Sequence, residues 1–202
     1  MTIERPSSRG GPRFVLASGS PRRRQLLEEA GYEFEVIPPP VEEVSHDWLT
    51  IRELTVCNAT RKAAHVAEIL PGAVVLGADT LVSLDGHVLG KPANLKDAAR
   101  TLRRLSGRSH DVWTAVCIRH SVLGESRAFY AVSRVKFHDL TESAIKSYLA
   151  KINPLDKAGA YAAQGHGKEI IQRIEGSYSN VVGLPMETTA RMLRAFGITP
   201  PR

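Results

Sequence analysis

The sequence predicts an α/β fold in which a mixed, twisted sheet is flanked by helices. Apolar, strand-like segments alternate with helix-like segments along the chain, a pattern that favours parallel strands joined by helical crossovers. Hairpin signals are mixed in, such as Asp85-Gly86 before a short apolar stretch, and these predict antiparallel pairs in the same sheet. With 202 residues, 43% of them hydrophobic, the chain is long enough for a sizeable core.

The first part of the chain opens with a short strand and a capped helix. Residues 14–18 are apolar and predict a buried strand. Ser20 is a good N-cap, Pro21 suits the first helical position, and Gly31 can end the helix. The next predicted elements are a strand at 33–37, a helix at 51–70, and an apolar run at 73–82 that is interrupted by Gly77 and Asp79.

The second part of the chain continues the alternation. Asn94 and Thr141 are good N-caps and predict the start of two helices. The predicted elements are a strand at His87–Leu89, a helix that ends at Leu105, paired strands at 111–119 and 127–137, a helix at 142–151, a glycine-rich stretch at 158–167, an apolar segment at 169–174, and a last helix from about Pro185 to Gly197.

Residues 13–202 are predicted to form a single domain, preceded by a flexible extension at residues 1–12. No stretch reaches the roughly 18 apolar residues that cross a membrane, and the N-terminus lacks the apolar segment of a signal peptide. Cys57 and Cys117 are far apart in sequence, which disfavours a disulfide-rich secreted domain or a cysteine zinc site. We expect a cytoplasmic protein without a membrane partner.

The positive charge of the chain is concentrated near one end. The net charge is +6, and residues 1–24 hold six arginines and one acid. The remaining 178 residues are therefore almost neutral. Because a nucleic-acid-binding surface needs basic residues distributed over a face, no nucleic-acid partner is expected.

The segment after the first strand predicts a phosphate site at a helix N-terminus. Arg22 and Arg23 lie in the first helical turn, where free N–H groups already favour anions and basic side chains are slightly destabilising. Ser18 adds a hydroxyl, and Gly19 lets the backbone approach a ligand closely. A bound phosphate accounts for this pattern; the alternative is a solvated run of charges. The segment is not a Walker motif, because GxxxxGK[ST] is absent.

Asp79 is a candidate for catalysis or coordination. It follows the apolar residues 73–78, and carboxylates are costly to bury. An aspartate at the end of a strand usually binds a ligand, takes part in chemistry or caps a turn. The hydroxyl of Thr80 stands beside it. From the residues alone, a turn-capping role stays open for Asp79.

An acidic pair and two lysines are further candidates. Glu42 and Glu43 follow the proline run, and such acids are either solvated or hold Mg²⁺, which prefers oxygen ligands. Lys62 is on the second predicted helix, and Lys91 follows the hairpin. A single lysine is normally a surface residue, so these two gain meaning only if they converge on the arginine loop.

Eight short motifs follow one another along the chain. They are LASGSPRRRQLLEEAG (16–31), the pair Glu42-Glu43, RKA (61–63), GADTLV (77–82), GKP (90–92), LSGRSHDVWTAV (105–116), PLDKAGAYAAQGHG (154–167) and IEGSYSNVVGLP (174–185). In order and spacing they resemble the Maf proteins, nucleoside triphosphate pyrophosphatases related in fold to the inosine triphosphate pyrophosphatases. The resemblance runs from Phe14 to Phe196 and implies a mixed sheet with two lobes around a cleft.

The resemblance also implies a role for each matching position. Asp79 would be the catalytic carboxylate, orienting or deprotonating the attacking water. Glu43 and Asp79 would bind a divalent cation, Mg²⁺ or Mn²⁺. The substrate-binding residues would be Ser18, Arg22, Arg23, Lys62, Thr80, Lys91 and Gln164.

The motifs further resemble the Maf group that acts on dTTP and UTP. GAYAAQG, which contains Gln164, and GSYSNVVGLP are similar to that group, and an amide suits a uracil or thymine edge because it both donates and accepts. The implied activity is hydrolysis of a nucleoside triphosphate to the monophosphate and pyrophosphate, which would clean the nucleotide pool. Two alternatives stay open: a 7-methyl-GTP pyrophosphatase and a non-enzymatic nucleotide-binding regulator of cell division. A homodimer would fit the family.

Overall fold

The computed structural model describes residues 12–201. The predicted extension at residues 1–12 lies outside this range except for Pro12. The strands are β1 (Phe14–Ala17), β2 (Glu35–Val36), β3 (Val74–Leu84), β4 (His87–Leu89), β5 (Ser109–His120), β6 (Glu125–Phe137) and β7 (Ile171–Glu175). The helices are α1 (Pro21–Glu29), α2 (Ile51–Ile69), α3 (Leu95–Leu105), α4 (Glu142–Leu149), α5 (Tyr178–Val182) and α6 (Met186–Ala195).

The strands form one mixed sheet, as the sequence predicts. Their order is β2-β1-β3-β5-β6-β7, and β4 pairs with β3. β1 is parallel to both β2 and β3, whereas the other pairs are antiparallel. The prediction of an α/β fold with helices around a mixed sheet is confirmed.

The long central strands pass through two apolar cores. In the first core, Leu76 of β3 packs with α1 and α6, represented by Leu27 and Leu193. In the second, Val82 farther along β3 packs with α3, represented by Leu102. α2 covers the other face of the sheet through a third, alanine-rich cluster. Residues 78–81 of β3 lie where the first two cores meet, so polar side chains there stand between two lobes.

The expectation that Asp79 stands at the end of a strand is wrong. β3 is one continuous strand, and Asp79 lies in its interior, paired with Ala115 of β5. β5 pairs with β3 from Val75 to Ser83, so the ladder continues through both positions. Asp79 is therefore a residue of a buried strand and does not cap a turn.

Local capping signals are confirmed, and one helix was not predicted. The side chains of Ser20, Asn94 and Thr141 cap α1, α3 and α4. The Asp85-Gly86 hairpin is present, with positive φ at both residues. α5 was missed because five residues contain no repeating apolar stripe. The glycine-rich stretch contains one short 3-10 segment, Ala158–Ala160, and a second, Gly165–Glu169, begins within it.

Candidate functional site

The candidate site is a cleft beside the free part of one edge of β3. β1 pairs with β3 as far as Gly77, and β4 pairs with it from Val82. The edge at 78–81 has neither neighbour, and a cavity of about 370 Å³ lies there, a size typical of small-molecule sites. Its lining comes from the loop 18–23, the segment after β2, α2, β3, and parts of 156–163 and 181–183.

The loop after β1 brings Ser18 to this cleft. Because Ala17 pairs with Gly77, the chain leaves β1 beside the residues of β3 that line the cavity. Ser18 is buried, and its Oγ accepts hydrogen bonds from Ser20 N (3.3 Å) and Arg23 Nη1 (2.9 Å). Both contacts use the oxygen, so the hydroxyl hydrogen can be donated to an anion.

Arg23 is buried, which a run of three arginines does not predict. Its Nε donates to Gly183 O at 2.9 Å, Nη1 to Ser18 Oγ at 2.9 Å, and Nη2 to Thr80 Oγ1 at 3.0 Å. Burial lowers the pKa of the guanidinium, and the charge of Asp79 opposes this effect. Arginine nevertheless stays protonated in proteins. Arg23 thus ties three walls of the cleft together and contributes a fixed positive charge.

Arg22 lies on the rim of the cleft. Its Nη1 is 3.4 Å from Asp156 Oδ2, and the same carboxylate pairs with Lys157 Nζ at 2.6 Å. A long, partly exposed ion pair of this kind contributes little to stability, so Arg22 can exchange Asp156 for a phosphate at small cost. Arg24, by contrast, pairs with Glu28 on the exposed face of α1 and does not line the cleft.

Lys62 bridges the two predicted metal-binding carboxylates. Its Nζ is 2.7 Å from Asp79 Oδ1 and 2.6 Å from Glu43 Oε1. The three residues come from α2, β3 and the segment after β2, respectively. Asp79 is 3% exposed, and its Oδ2 has no hydrogen-bond partner within residues 12–201. Because Asp79 lines the cavity, this oxygen is available to accept a hydrogen bond or bind a cation.

The two carboxylates experience opposite electrostatic effects. Burial raises the pKa of Asp79 above its usual range, although Lys62 acts in the opposite direction. Burial also acts to raise the pKa of Glu43, but the hydrogen bond and charge of Lys62, with the charges of Lys91 and Arg23, outweigh it and lower that pKa. Burial therefore makes Asp79 a better proton acceptor than an ordinary aspartate, as a proton-accepting role requires.

Two further predicted residues lie in the same cleft. Lys91 lines it, and in the described part of the chain no carboxylate is within salt-bridge distance of its ammonium. Thr80 Oγ1 is 3.0 Å from Thr114 Oγ1 and accepts the hydrogen bond from Arg23. The structure therefore brings together eight of the nine predicted site residues, namely Ser18, Arg22, Arg23, Glu43, Lys62, Asp79, Thr80 and Lys91.

Gln164 is the predicted residue that does not line the cavity. Its Nε2 donates to Gln25 Oε1 at 3.4 Å. The two residues before it, Ala162 and Ala163, do line the cleft. The predicted contact between Gln164 and a nucleobase thus remains a prediction.

Asp79 and Glu43 are chemically suited to a divalent cation. No cluster of three or more His, Cys, Asp or Glu with metal-site geometry occurs among residues 12–201. Mg²⁺, however, is commonly held by one or two carboxylates together with substrate phosphates and waters. The unpartnered Oδ2 of Asp79 and the nearby carboxylate of Glu43 provide this kind of oxygen set.

Sequence reasoning missed several groups that support the site. The carbonyl of Gly183 accepts a hydrogen bond from Arg23, and Thr114 Oγ1 is hydrogen-bonded to Thr80 Oγ1. Asp156 forms an ion pair with Arg22. A backbone carbonyl has no sequence signal. Thr114 has a weak one, because it is a polar residue within the apolar residues of β5.

The fold and the cleft together define an α/β protein with a cleft that basic side chains and two carboxylates line. Comparison of the sequence with known families is more specific. Residues 13–196 match the family described as Maf-like protein, and the chain belongs to that family. The resemblance found from the motifs is confirmed.

The chain is also similar to individual proteins over nearly their full lengths. A protein of Pelotomaculum thermopropionicum named dTTP/UTP pyrophosphatase is 45% identical over 184 residues, which cover 91% of this chain and 96% of that protein. One of the same name from Bacillus anthracis is 43% identical over 186 residues, covering 92% of this chain and 96% of that protein. Another, from Bacillus cereus, is 42% identical, covering 92% and 91%.

Solved structures give weaker matches. The Ham1 protein of Staphylococcus aureus has a TM-score of 0.45 at 16% identity and covers 63% of this chain and 72% of its own. A protein from Vibrio cholerae has a TM-score of 0.33 at 17% identity, with coverage of 71% and 72%. Separately, none of the helices within residues 12–201 combines the length and apolar character that crossing a bilayer requires.

Proposed function

We propose that this chain hydrolyses the α–β phosphoanhydride bond of dTTP and UTP, including modified pyrimidine nucleotides, and releases the nucleoside monophosphate and pyrophosphate. The observation that carries the proposal is the bridging of Asp79 and Glu43 by Lys62 in the cleft that Ser18 and Arg22 also line. The cleft combines groups that bind a polyphosphate with a buried carboxylate that can act on water. The names of the relatives support the same reaction.

The polyphosphate is held by hydrogen-bond donors on two sides of the cleft. Ser18 and Arg22 donate from the loop and the first turn of α1, where the helix N-terminus also favours an anion. Lys62 and Lys91 contribute positive charge from the other side. Because these charges are preorganised, they stabilise the negative charge that develops on the departing pyrophosphate without reorganising.

Asp79 acts on the attacking water. Lys62 holds Oδ1 at 2.7 Å, and Oδ2 remains available. Oδ2 orients the water and accepts its proton as the oxygen attacks the α-phosphorus, and the bond to the bridging oxygen then breaks. The raised pKa that burial gives Asp79 makes it a better base than an exposed aspartate.

We also propose that Mg²⁺ or Mn²⁺ takes part, held by Asp79 and Glu43. When bound, the cation would act as a Lewis acid on the phosphate oxygens. The contacts of both carboxylates with Lys62 Nζ support this assignment, because they place Asp79 and Glu43 close enough together to share one cation. Removal of the cation with a chelator should abolish hydrolysis, and readdition should restore it.

The substrate assignment is tested with a panel of nucleotides. Pyrophosphate release is measured from dTTP, UTP, CTP, GTP and 7-methyl-GTP, with Mg²⁺ or Mn²⁺. Selective turnover of dTTP and UTP supports the proposal. Turnover of 7-methyl-GTP instead would keep the reaction and overturn the base preference. Nucleotide binding with no turnover of any substrate would favour the non-enzymatic regulator.

We further propose that the reaction takes place in the cytoplasm, where nucleotide pools are maintained. The partner of the chain is the nucleoside triphosphate, and neither nucleic acid nor a membrane has a role. The nearly neutral charge of residues 25–202 supports the absence of nucleic-acid binding. A homodimer fits the family and is tested by light scattering of the purified chain.

A further inference from the structure

Asn58 of α2 holds the backbone next to Glu43 through two hydrogen bonds. Its Oδ1 accepts from Val44 N at 2.7 Å, and its Nδ2 donates to Val44 O at 3.2 Å. Asn58 is 3% exposed, so water does not compete readily for either bond. The amide thus uses both its acceptor and its donor on a single residue of the neighbouring segment.

The segment that carries Glu43 has little else to fix its backbone. Ile37 N donates to Leu16 O, and the next backbone–backbone hydrogen bond within the described range runs from Leu49 N to His46 O. Residues 38–46 belong to neither a strand nor a helix. Asn58 therefore supplies the pair of bonds that a sheet neighbour would supply elsewhere.

Asn58 and Lys62 act on this segment from the same face of α2. They are four residues apart, which places one above the other on the helix. Lys62 binds the Glu43 side chain, while Asn58 binds the backbone of the next residue. Their neighbours Ala59 and Ala63 are buried and apolar. A polar amide in such surroundings is costly unless both its groups are bonded, so the contact with Val44 accounts for an asparagine here.

We propose that Asn58 is a positioning residue for the reaction: by holding Val44 it sets the place of the Glu43 carboxylate beside Lys62 and Asp79. This inference rests on the proposed function, in which Glu43 acts next to Asp79. Asn58→Leu removes both bonds and keeps the branching at Cγ, and Asn58→Asp keeps the acceptor for Val44 N but loses the donor. Thr55→Val is the matched control, because Thr55 is buried on α2 and its side chain bonds, within the described range, to Ile51 O of the same helix.

The first test does not depend on activity. Amide hydrogen exchange is measured on the metal-free chain and its variants, which are first shown to be folded by circular dichroism. Asn58→Leu should increase exchange of the Val44 amide by at least about tenfold, with a smaller increase in Asn58→Asp. Thr55→Val should leave exchange of this amide unchanged. Unchanged exchange in Asn58→Leu would overturn the proposal.

The second test asks whether Asn58 acts through Glu43. Hydrolysis is measured for Asn58→Leu, Glu43→Gln and the double variant, across a range of metal concentrations. Asn58→Leu alone should lower kcat/KM by about tenfold and raise the metal concentration for half-maximal rate, but cost less than about twofold when Glu43 is already Gln. An equal loss in both backgrounds would show that Asn58 stabilises the fold without positioning Glu43. An inactive wild-type chain would refute the proposed function. The exchange result would still show whether Asn58 holds the backbone at Val44.

Discussion

Gly77 of β3 lies directly against the backbone of Ala63 in α2: a β-carbon at position 77 would be 2.6 Å from Ala63 N. It would also overlap the carbonyl oxygen of Ala59. Lys62 precedes Ala63, and Asp79 is two residues beyond Gly77 in the strand. The close approach of helix and strand that glycine permits is therefore what brings Lys62 Nζ to 2.7 Å from Asp79 Oδ1.

Gly77→Ala should damage both stability and activity. The added methyl group must displace α2, because the two nearest atoms that it meets are backbone atoms. We expect the free energy of unfolding to fall by about 1–3 kcal/mol and kcat/KM to fall by at least about tenfold as Lys62 moves away from Asp79. Denaturant unfolding and the pyrophosphate assay measure the two effects. Gly72→Ala is the control, since a β-carbon there meets nothing within 4 Å; equal losses in both variants would contradict this explanation.

Asp79→Asn should abolish turnover while nucleotide binding remains. The amide keeps the shape of the side chain but cannot accept the proton of the water, so kcat should fall by about 10²–10⁴-fold. Calorimetry should give a nucleotide Kd within about threefold of the wild-type value. Asp85→Asn, in the exposed hairpin turn, serves as the control and should retain full activity. A kcat near that of the wild type in Asp79→Asn would remove Asp79 from the mechanism.

Arg23→Lys should be far more harmful than Arg24→Lys. Arg23 donates to acceptors on three different segments, and a lysine ammonium cannot reproduce that planar fork. We expect a loss of about 1–3 kcal/mol in the free energy of unfolding, together with a higher KM. Arg24 is exposed, and among residues 12–201 its ion pair is with Glu28 alone, so its replacement should leave the thermal midpoint and KM unchanged. Similar effects of the two substitutions would mean that the buried hydrogen bonds of Arg23 contribute neither to stability nor to substrate binding.

Gln164→Ala tests the base contact that the sequence predicts. If the amide recognises uracil or thymine, its loss should raise the KM for dTTP and UTP by roughly five- to tenfold and leave kcat nearly constant. Gln25→Ala removes the partner that Gln164 has in the structure and should change KM by less than about twofold. Equal KM values in wild type and Gln164→Ala would exclude a contact with the base.

His110 makes the stability of the chain depend on pH. It is buried in the second core, its Nε2 is 2.8 Å from Tyr161 Oη, and its Nδ1 has no partner among the described residues. Burial lowers its pKa from 6.5 to about 4. Between about pH 6.5 and about pH 4, His110 is therefore protonated in the unfolded chain but neutral in the folded chain.

Stability should accordingly fall as the pH is lowered through this window. The contribution of His110 is complete above pH 6.5 and is lost by about pH 4, amounting to about 3 kcal/mol. The free energy of unfolding is measured against pH for the wild type and His110→Gln, and the difference between them should shrink as the pH falls. His87→Gln, at an exposed position, should retain the wild-type profile; a difference for His110→Gln that is independent of pH would refute the prediction.

Elements with local signals could be predicted, because the groups that define them are close in sequence. Ser20 caps α1 by accepting from Arg23 N, and Asn94 caps α3 by accepting from Asp97 N, each three residues away. Asp85 and Gly86 adopt the positive φ that the hairpin requires. For α5, a single turn of helix, the capping Ser177 is present but no apolar periodicity supports it.

The eight site residues that line the cleft were named from motifs, but their partners were not. Arg22 and Arg23 are adjacent in sequence, yet one lies on the rim beside Asp156 and the other is buried against Gly183. No local property distinguishes two neighbouring arginines in this way. Asn58 went unnoticed for the same reason, since its partner Val44 is 14 residues away.

The sequence by itself determined the alternation of strands and helices, their caps, the family and the residue types of the site, because periodicity, capping and motifs act over a few residues. Only the tertiary structure decided that Asp79 lies inside β3, that Lys62 joins it to Glu43, and that Gln164 faces Gln25 instead of the cavity. These relationships depend on the order of strands in the sheet and on the distance between α2 and β3. Both are set by packing among residues far apart in the chain, which no local pattern encodes.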